Sequence, residues 1–187
     1  MMVANMKCHP FRIYIVVLGA LACANAPTNA AEFDSKEVPF QAGIKSSQAE
    51  FIFNVWKKAS HSFYLNLYFN LGSRDDPDRN KDRDRVRKLA GHGGYNITTK
   101  RRIDNGLAIP VRLKIVRLDD KNNGLILDEA YDDPIGDGFT DKYYAKLILR
   151  YILEPGIYKA RIEALKDLPS LQTVPVKFDV HVAHDRS

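Results

Sequence analysis

Apolar and polar residues alternate one by one along much of the chain, and this period of two is typical of half-buried β-strands. The segment at residues 174–182, VPVKFDVHV, places four valines and Phe178 on one side. Lys177, Asp179 and His181 fall on the other side. We expect that second side to face water.

Comparable segments predict about eight strands in all, at residues 38–41, 50–56, 63–71, 109–118, 125–130, 143–153, 158–165 and 174–182. The connections are short and carry turn residues. Asn123-Gly124 suits a type I′ turn and Glu154-Pro155-Gly156 suits a Pro-Gly turn, and we expect a hairpin at each. Strands that are joined by hairpins, with little helix between them, favour an antiparallel sandwich. The predicted fold class is therefore mainly β.

Tyr158 follows the second of these turns at the start of a predicted strand. Two interpretations are open for it. It either forms a tyrosine corner, whose hydroxyl ties the preceding loop to the sandwich, or is a buried aromatic residue with its hydroxyl at the rim.

The stretch at residues 76–95, DPDRNKDRDRVRKLAGHGGY, carries charges of both signs and ends in glycines. Asp76 suits a helix N-cap, Pro77 suits the first turn, and Gly91 suits the position after the last turn. We therefore expect a helical insert near residues 76–91. Its narrow apolar edge would consist of Val86, Leu89 and Ala90.

A calcium-binding loop is the alternative interpretation of this stretch, since Asp76, Asp78 and Asn80 have the spacing of the first three ligands of an EF-hand. Lys81, however, stands where that loop requires glycine, and Arg87 stands where it requires a bidentate glutamate. Two cations among the ligands would repel a metal ion. The sequence therefore predicts no calcium site here.

Arginines are frequent in and after the insert, and Arg79, Arg83, Arg87 and Arg101 are our candidates for contact with a partner. Arginine binds carboxylates through paired hydrogen bonds, so the expected partner is an acidic protein. Nucleic acid is not expected, because five aspartates at residues 75–84 lie among the arginines and would repel phosphate. The other interpretation is a solvated helix whose charges pair along its surface.

The N-terminus has the pattern of a secretory signal. Basic residues precede an apolar run at residues 13–24, which is too short to cross a bilayer and has the length of a signal-peptide core. We expect residues 1–26 to be removed, with the boundary between residues 22 and 31, and residues 32–187 to form one periplasmic domain. Ala20-Leu21-Ala22-Cys23 also resembles a lipoprotein box, so the mature protein is either soluble or anchored to the outer membrane through a lipid on Cys23.

Charge and cysteine content are consistent with an exported domain at residues 32–187. Both cysteines, Cys8 and Cys23, precede the predicted domain, so a chain cut beyond Cys23 forms no disulfide. Loss of residues 1–26 removes Lys7 and Arg12 and no acid, so 28 basic residues become 26 against 23 acidic ones and the net charge falls from +5 to +3. This small excess is not typical of a dedicated nucleic-acid-binding protein.

The chain lacks the motifs of common active sites, since it has no nucleophile elbow, HExxH helix or phosphate-binding loop. His181 and His184 would fall on opposite faces of a strand, which disfavours shared metal ligation. Asp132, Asp133 and Asp137 lie in a stretch with proline and glycines and are expected in a solvated loop. We predict no catalytic residues, cofactor or metal, and no enzyme activity.

Four parts of the sequence together resemble a family of exported proteobacterial proteins, many of them lipoproteins, known as a domain of unknown function. These parts are the strand FYLNLYF, the helix DRDRVRKLAG, the strand AIPVRLKIVRL and the block EPGIYKARIEALKDLPSLQTVPVKF. The resemblance covers nearly all of residues 33–184 and is most specific at residues 85–91 and 155–178. It implies an antiparallel immunoglobulin-like β-sandwich with one short helical insert, and it brings no catalytic residues.

Members of this family are sometimes encoded near type VI secretion effectors. The resemblance therefore implies an immunity protein that neutralises a secreted toxin in the periplasm. Two other classes stay open: an envelope accessory or structural domain that binds a glycan or another envelope protein, and an unrecognised hydrolase. A toxin gene next to this one would favour immunity, whereas an envelope-assembly operon would favour the accessory role.

Overall fold

The computed structural model describes residues 36–70, 76–91, 95–96, 101–102, 106–119 and 124–182. The predicted signal peptide at residues 1–26, with Cys23, lies outside the described residues, and so does His184. Arg101 belongs to a described strand, but its side chain is not described.

The described residues form strands, one α-helix and one short 3₁₀ helix. The strands are β1 (Lys36–Phe40), β2 (Gln48–Val55), β3 (Ala59–Tyr68), β4 (Tyr95–Asn96), β5 (Arg101–Arg102), β6 (Val111–Arg117), β7 (Leu125–Tyr131), β8 (Ile135–Phe139), β9 (Tyr143–Leu153), β10 (Gly156–Ala164) and β11 (Val176–Val182). The helix α1 is Pro77–Ala90, and the 3₁₀ helix is Pro169–Leu171. Within these residues, no helix combines the length and the apolar character needed to cross a bilayer.

Nine of these strands form two antiparallel sheets, in the orders β1-β11-β3-β9-β8 and β2-β10-β6-β7. The short strands β4 and β5 pair with each other. The chain passes repeatedly from one sheet to the other. β6 and β7 pair as the predicted hairpin, but the predicted hairpin at Glu154-Pro155-Gly156 is wrong, because β9 and β10 lie in different sheets and this turn crosses between them. The two sheets form the antiparallel sandwich that the alternating pattern predicted, and every one of the predicted strands is present.

The inner faces of the two sheets meet in a core of aromatic and aliphatic side chains. Phe53 of the four-stranded sheet and Phe63 of the five-stranded sheet have ring centroids 6.3 Å apart. The rings of Phe51 and Phe178 are 5.0 Å apart and also join the two sheets. Burial of each such side chain contributes about 1.5–3 kcal/mol, so these contacts hold the sheets together.

Strand β8 differs from the prediction, which placed its residues in a solvated loop. It pairs with β9, but the register shifts between Gly136 and Gly138, and Asp137 lies in the resulting bulge. A short edge strand with two glycines and a bulge has no regular alternation. The pattern therefore indicated a loop where the structure has a strand.

A second difference concerns the outward side of the five-stranded sheet, which the alternation predicted to be wet. Asn66 is 1% exposed and Asp179 is 3% exposed. Asp179 lies directly across from Tyr64 in the ladder between β11 and β3. The outward side of this sheet is thus a partly buried polar layer, and it forms the candidate site described below.

The sequence also gave no indication of a lysine inside the sandwich. Lys146 on β9 is 0% exposed, and its Nζ donates to the carbonyl oxygen of Leu107 at 2.8 Å. Asp133 lies 3.7 Å from the same nitrogen. Because a buried ammonium group requires such partners, Lys146 ties the segment before β6 to β9.

Candidate partner-binding site

Helix α1 begins and ends where the sequence predicted. The Asp76 side chain accepts a hydrogen bond from the Asp78 N–H at 2.9 Å, and Gly91 follows the last turn with a φ of 78°. Val86 and Ala90 are fully buried, so the apolar edge of the helix packs on the sandwich.

Polar contacts fix α1 at the end of the five-stranded sheet where β3 ends and β9 begins. Asp82 accepts the Asn70 N–H at 2.7 Å and contacts Arg85 at 2.6 Å. Burial disfavours the ionised form of Asp82, but these two donors hold the pKa of its carboxyl below the usual value. Arg85 also donates to Thr173 at 2.9 Å, which links the helix to the segment before β11.

Two of the predicted partner-binding arginines contact the sandwich. Arg79 Nη2 lies 3.5 Å from the carbonyl oxygen of Asp141. Arg83 Nε donates to the Tyr144 hydroxyl at 3.3 Å, and its guanidinium lies 6.0 Å from the centre of the Phe69 ring. Arg83 therefore helps to dock the helix, and reversing its charge would disturb the fold as well as any binding surface.

The other two predicted arginines are placed differently. Arg87 is exposed and contacts Asp84 at 3.5 Å. Arg101 lies in β5, and its side chain is outside the described part of the chain. Arg87 is consequently the better position for a charge reversal that leaves helix docking intact.

The outward side of the five-stranded sheet carries a group of aromatic and charged residues that we call the tyrosine face: Tyr64, Tyr68, Tyr143, Lys177 and His181. Tyr68 and Tyr143 lie directly opposite each other, with ring centroids 5.1 Å apart. The Lys177 ammonium is 4.6 Å from the centre of the Tyr68 ring, and the rings of Tyr64 and His181 are 5.9 Å apart. All five residues are partly exposed. Partly exposed aromatic rings with polar tips are enriched at protein interfaces.

Glu37 on β1 fixes one end of the tyrosine face. It contacts Lys177 Nζ at 2.9 Å and accepts a hydrogen bond from the Tyr68 hydroxyl. Burial opposes ionisation of Glu37, but these donors hold the pKa of its carboxyl below the usual value. Burial and the neighbouring carboxylate together raise the pKa of Tyr68. The hydrogen bond to Glu37 therefore positions the Tyr68 hydroxyl at this end of the tyrosine face.

Asp137, which sequence analysis assigned to a solvated loop, fixes the other end. It accepts hydrogen bonds from the Tyr64 hydroxyl at 2.9 Å and from Arg150 Nη2 at 3.0 Å. The bulge in β8 is what brings Asp137 to this position.

Asp179 lies beneath the middle of the tyrosine face. Its Oδ2 accepts a hydrogen bond from Asn66 at 3.0 Å and lies 2.5 Å from His181 Nε2. Its Oδ1 is buried and has no hydrogen-bond partner in the described residues. The hydrogen bond to Asp179 raises the pKa of His181, although burial acts in the opposite direction.

The His181–Asp179 pair raises the question of a catalytic triad, because Ser62 lies directly across from His181 on β3. Ser62 Oγ is buried and makes no hydrogen bond to the His181 ring. A nucleophilic serine needs that hydrogen bond and needs access to substrate. This arrangement supports the rings of the tyrosine face and does not have the geometry of a triad.

Within the described residues, no group of three or more His, Cys, Asp or Glu side chains has the arrangement of a metal site. Asp76 and Asp78, which matched the start of a calcium loop, serve as the helix cap and as the partner of Lys81 at 3.3 Å. His61 is buried and its Nδ1 lies 2.9 Å from the Ala59 carbonyl oxygen. Burial lowers the pKa of His61.

Tyr158 forms the tyrosine corner that was one of its two interpretations. Its hydroxyl donates to the carbonyl oxygen of Glu154 at 2.8 Å, across the Pro-Gly turn. The ring is 1% exposed and stacks on Phe53 with centroids 5.8 Å apart. The corner therefore joins the turn between β9 and β10 to the core.

These features define a β-sandwich protein with helix α1 at its end and a hydrogen-bonded aromatic surface on one sheet. Residues 37–182 match the family model described as a domain of unknown function, DUF5625, and the chain belongs to that family. Its fold is similar to the crystal structure of a protein from Sulfurospirillum deleyianum, with a TM-score of 0.65, 20% identity, and coverage of 80% of this chain and 98% of that chain. At this identity the likeness shows the fold alone. No curated protein matches the chain.

Proposed function

We propose that this chain is an exported protein-binding module that neutralises a secreted type VI toxin in the periplasm. The observation that carries the proposal is the tyrosine face, in which partly exposed rings are held by a layer of buried or partly buried acids. Tyrosine and arginine are the residue types that most often dominate binding at protein interfaces. The resemblance to exported proteins encoded near such effectors supports toxin immunity as the specific form.

The fixed geometry of the tyrosine face favours tight binding. Tyr68 is held by Glu37, and Tyr64 is held by Asp137, before any partner arrives. Ordering a mobile side chain on association costs about 0.5–1.5 kcal/mol, and this surface avoids much of that cost. A preorganised surface of this kind suits an inhibitor that must act on the first toxin molecule it meets.

Helix α1 extends the proposed binding surface. Arg79 contacts the carbonyl oxygen of Asp141, two positions before Tyr143 of the tyrosine face. The exposed Arg87 lies two turns further along the helix. A partner that covers Tyr68 and Tyr143 and carries acidic side chains at its rim would therefore meet these arginines, which speed association through charge.

The role of the acids in this proposal is to position the rings. The buried Asp179 holds His181 of the tyrosine face from beneath, and the proposal requires neither a catalytic step nor a cofactor. An exported chain, soluble or attached through a lipid on Cys23, would meet the incoming toxin in the periplasm.

A glycan is the second candidate ligand, and one observation favours it. The Tyr68–Tyr143 pair lies beside Glu37 and Lys177, so ring faces and charged hydrogen-bonding groups are adjacent. An envelope accessory domain would use these groups to hold a sugar. Binding of soluble cell-wall fragments, lost in the Tyr68→Ala variant, would favour this candidate over immunity.

The experiment that tests immunity is a capture of the toxin followed by growth competition. We expect the tagged chain to capture the secreted toxin encoded beside its gene, and a deletion strain to lose against its toxin-producing siblings. Complementation with the Tyr68→Ala/Tyr143→Ala double variant should fail, whereas complementation with Trp56→Ala, a matched removal of an exposed ring elsewhere, should succeed. A deletion strain that competes normally, with no toxin captured, would show that immunity is the wrong class.

A further inference from the structure

The four-stranded sheet carries its own exposed apolar surface, which we call the apolar patch: Ile52, Trp56, Leu125 and Ile157. Trp56 is 70% exposed and Leu125 is 58% exposed. Ile52 and Ile157 are 48% and 42% exposed. All four lie toward the end of the sheet where β2 ends and β10 begins. Ile52 and Leu125 stand on the two edge strands, and Lys159 and Val116 lie between them in the same row. Large exposed apolar residues collected on one face indicate an interaction site.

Cations adjoin the apolar patch. Lys114 on β6 and Arg161 on β10 lie directly opposite each other, and Lys159 lies two positions from Arg161 on the same strand. With Val116 and Leu118 these three cations line a shallow groove of about 180 Å³. On its other side each of the two has an acid directly across from it, Asp128 from Lys114 and Glu50 from Arg161. The row therefore has two adjacent cations between two acids, and a bound anion would relieve the repulsion between the cations.

Asp128 and Glu50 partly neutralise the three cations of this groove. Lys114 lies 4.0 Å from Asp128, and Lys159 lies 3.9 Å from Glu50, which are both long for ion pairs. Arg161 donates to the uncharged side chain of Gln48. Three cations against two acids leave a net charge of +1 among these residues, which favours an anion.

We propose that this side of the four-stranded sheet docks on an anionic lipid surface. Lipid phosphate groups occupy the groove between Lys114, Lys159 and Arg161, and Trp56 with its apolar neighbours enters the boundary between headgroups and hydrocarbon. The proposal concerns the sheet opposite the tyrosine face, so it stands independently of the toxin partner.

The chemistry of this surface fits a lipid better than a protein. Tryptophan concentrates at membrane interfaces, and lysine side chains extend their ammonium groups to the headgroups while their methylene stems cover apolar surface. A bilayer needs charge and apolar area but no fixed complementary shape. The groove is shallow, and lysines supply two of its three cations, whereas the tyrosine face is held by a network of directional hydrogen bonds.

The position of the apolar patch in the sandwich is also consistent with docking on a membrane. Trp56 precedes β3, whereas α1 docks where β3 ends, so the patch and the helix lie at opposite ends of that strand. The first described residue of β1, Lys36, pairs with Val180 near the end of β11, on the patch side of the sandwich. The first described residue of the domain therefore lies at the end of the sandwich that carries the patch.

Trp56 allows a direct test because it is the single tryptophan of the chain. The predicted mature domain, residues 32–187, is prepared without the N-terminal segment, so that neither the apolar run at residues 13–24 nor a lipid on Cys23 can cause binding. It is mixed with vesicles of phosphatidylcholine, or of phosphatidylcholine with phosphatidylglycerol, and both sedimentation and tryptophan emission are measured. We expect sedimentation with the anionic vesicles and a blue shift of the emission as Trp56 leaves water.

Paired variants separate the two parts of the proposal. Ile52→Ser with Leu125→Ser should weaken partitioning at least about tenfold. Lys114→Gln with Arg161→Gln should weaken it about 30-fold on anionic vesicles alone. The matched controls, Ile44→Ser and Lys81→Gln with Lys88→Gln, change exposed residues outside this face and should bind like the parent chain.

Three outcomes would overturn the proposal. The first is the absence of both sedimentation and a blue shift with anionic vesicles. The second is binding that inorganic phosphate competes away while the apolar variant binds normally, which would indicate a site for small anions. The third is a Trp56 emission shift with the purified toxin but not with vesicles, which would assign the patch to a protein. Thermal melts of every variant confirm that lost binding is not lost folding.

Discussion

Gly106 is the position where the structure makes the sharpest prediction about folding. Its φ is +69°, and a Cβ added there would lie 2.3 Å from the Gly91 nitrogen and 2.5 Å from the Leu89 carbonyl oxygen. Both of these are backbone atoms, so no side chain can rotate away to make room. Gly106→Ala should therefore force the segment before β6 away from the end of helix α1.

Three contributions set the magnitude of this effect. An alanine at positive φ costs about 1–2 kcal/mol. The separation breaks the hydrogen bond from the Leu107 N–H to the Leu89 carbonyl oxygen, now 2.9 Å long, which contributes about 0.5–1.5 kcal/mol. Loosening the buried Ala90 adds to the loss, so the free energy of unfolding should fall by about 2–4 kcal/mol. For a domain of this size that corresponds to a melting temperature lower by about 4–16 °C.

The assay is urea denaturation followed by circular dichroism, with Gly138→Ala as the matched control. A Cβ at Gly138 would meet no heavy atom within 4 Å, so that variant should differ from the parent chain by less than about 1 kcal/mol. Equal stabilities of Gly106→Ala and Gly138→Ala would refute the close approach between the segment before β6 and the end of α1.

Three further predictions test the corner, the acid layer and the helix. Tyr158→Phe removes the hydrogen bond to Glu154 and should lower the free energy of unfolding by about 1 kcal/mol in urea, and an unchanged value would exclude a stabilising corner. The raised pKa of His181 gives stability that is full below the unfolded pKa near 6.5 and is lost as pH rises through the folded pKa. Asp179→Asn should remove this pH dependence, and an NMR titration that places His181 at or below 6.5 would contradict it. Arg83→Ala should speed amide exchange in α1, and unchanged exchange would show that Arg83 does not dock the helix.

The sequence predicted the sandwich well because one face of each long strand is buried. In β3, Phe63, Leu65 and Leu67 all face the core, and their alternation with polar residues is visible without any structure. The helix could also be predicted, because Asp76 and Gly91 mark its two ends within the sequence itself. Strand β8 was missed because its bulge and its two glycines remove the pattern that the other strands share.

The site was harder to predict because pairing between distant strands creates it. Asn66 and Asp179 are 113 positions apart, and the bond between them depends on the register of β3 and β11. Alternation indicated that both face outward, but it carries no information on whether neighbouring tyrosines cover them. The arginines of α1 could be proposed as binding residues from their spacing in the sequence. Their spacing does not show that Arg83 contacts Tyr144 of the sheet.

The central claim is that the tyrosine face binds a protein toxin, and calorimetric titration of the purified chain with the toxin encoded beside its gene tests it most directly. We predict one-to-one binding with a Kd on the order of nanomolar. The Tyr68→Ala/Tyr143→Ala double variant should bind at least about 30-fold more weakly, and Trp56→Ala should bind like the parent chain. No measurable binding by the parent chain, or full affinity in the double variant, would contradict the account.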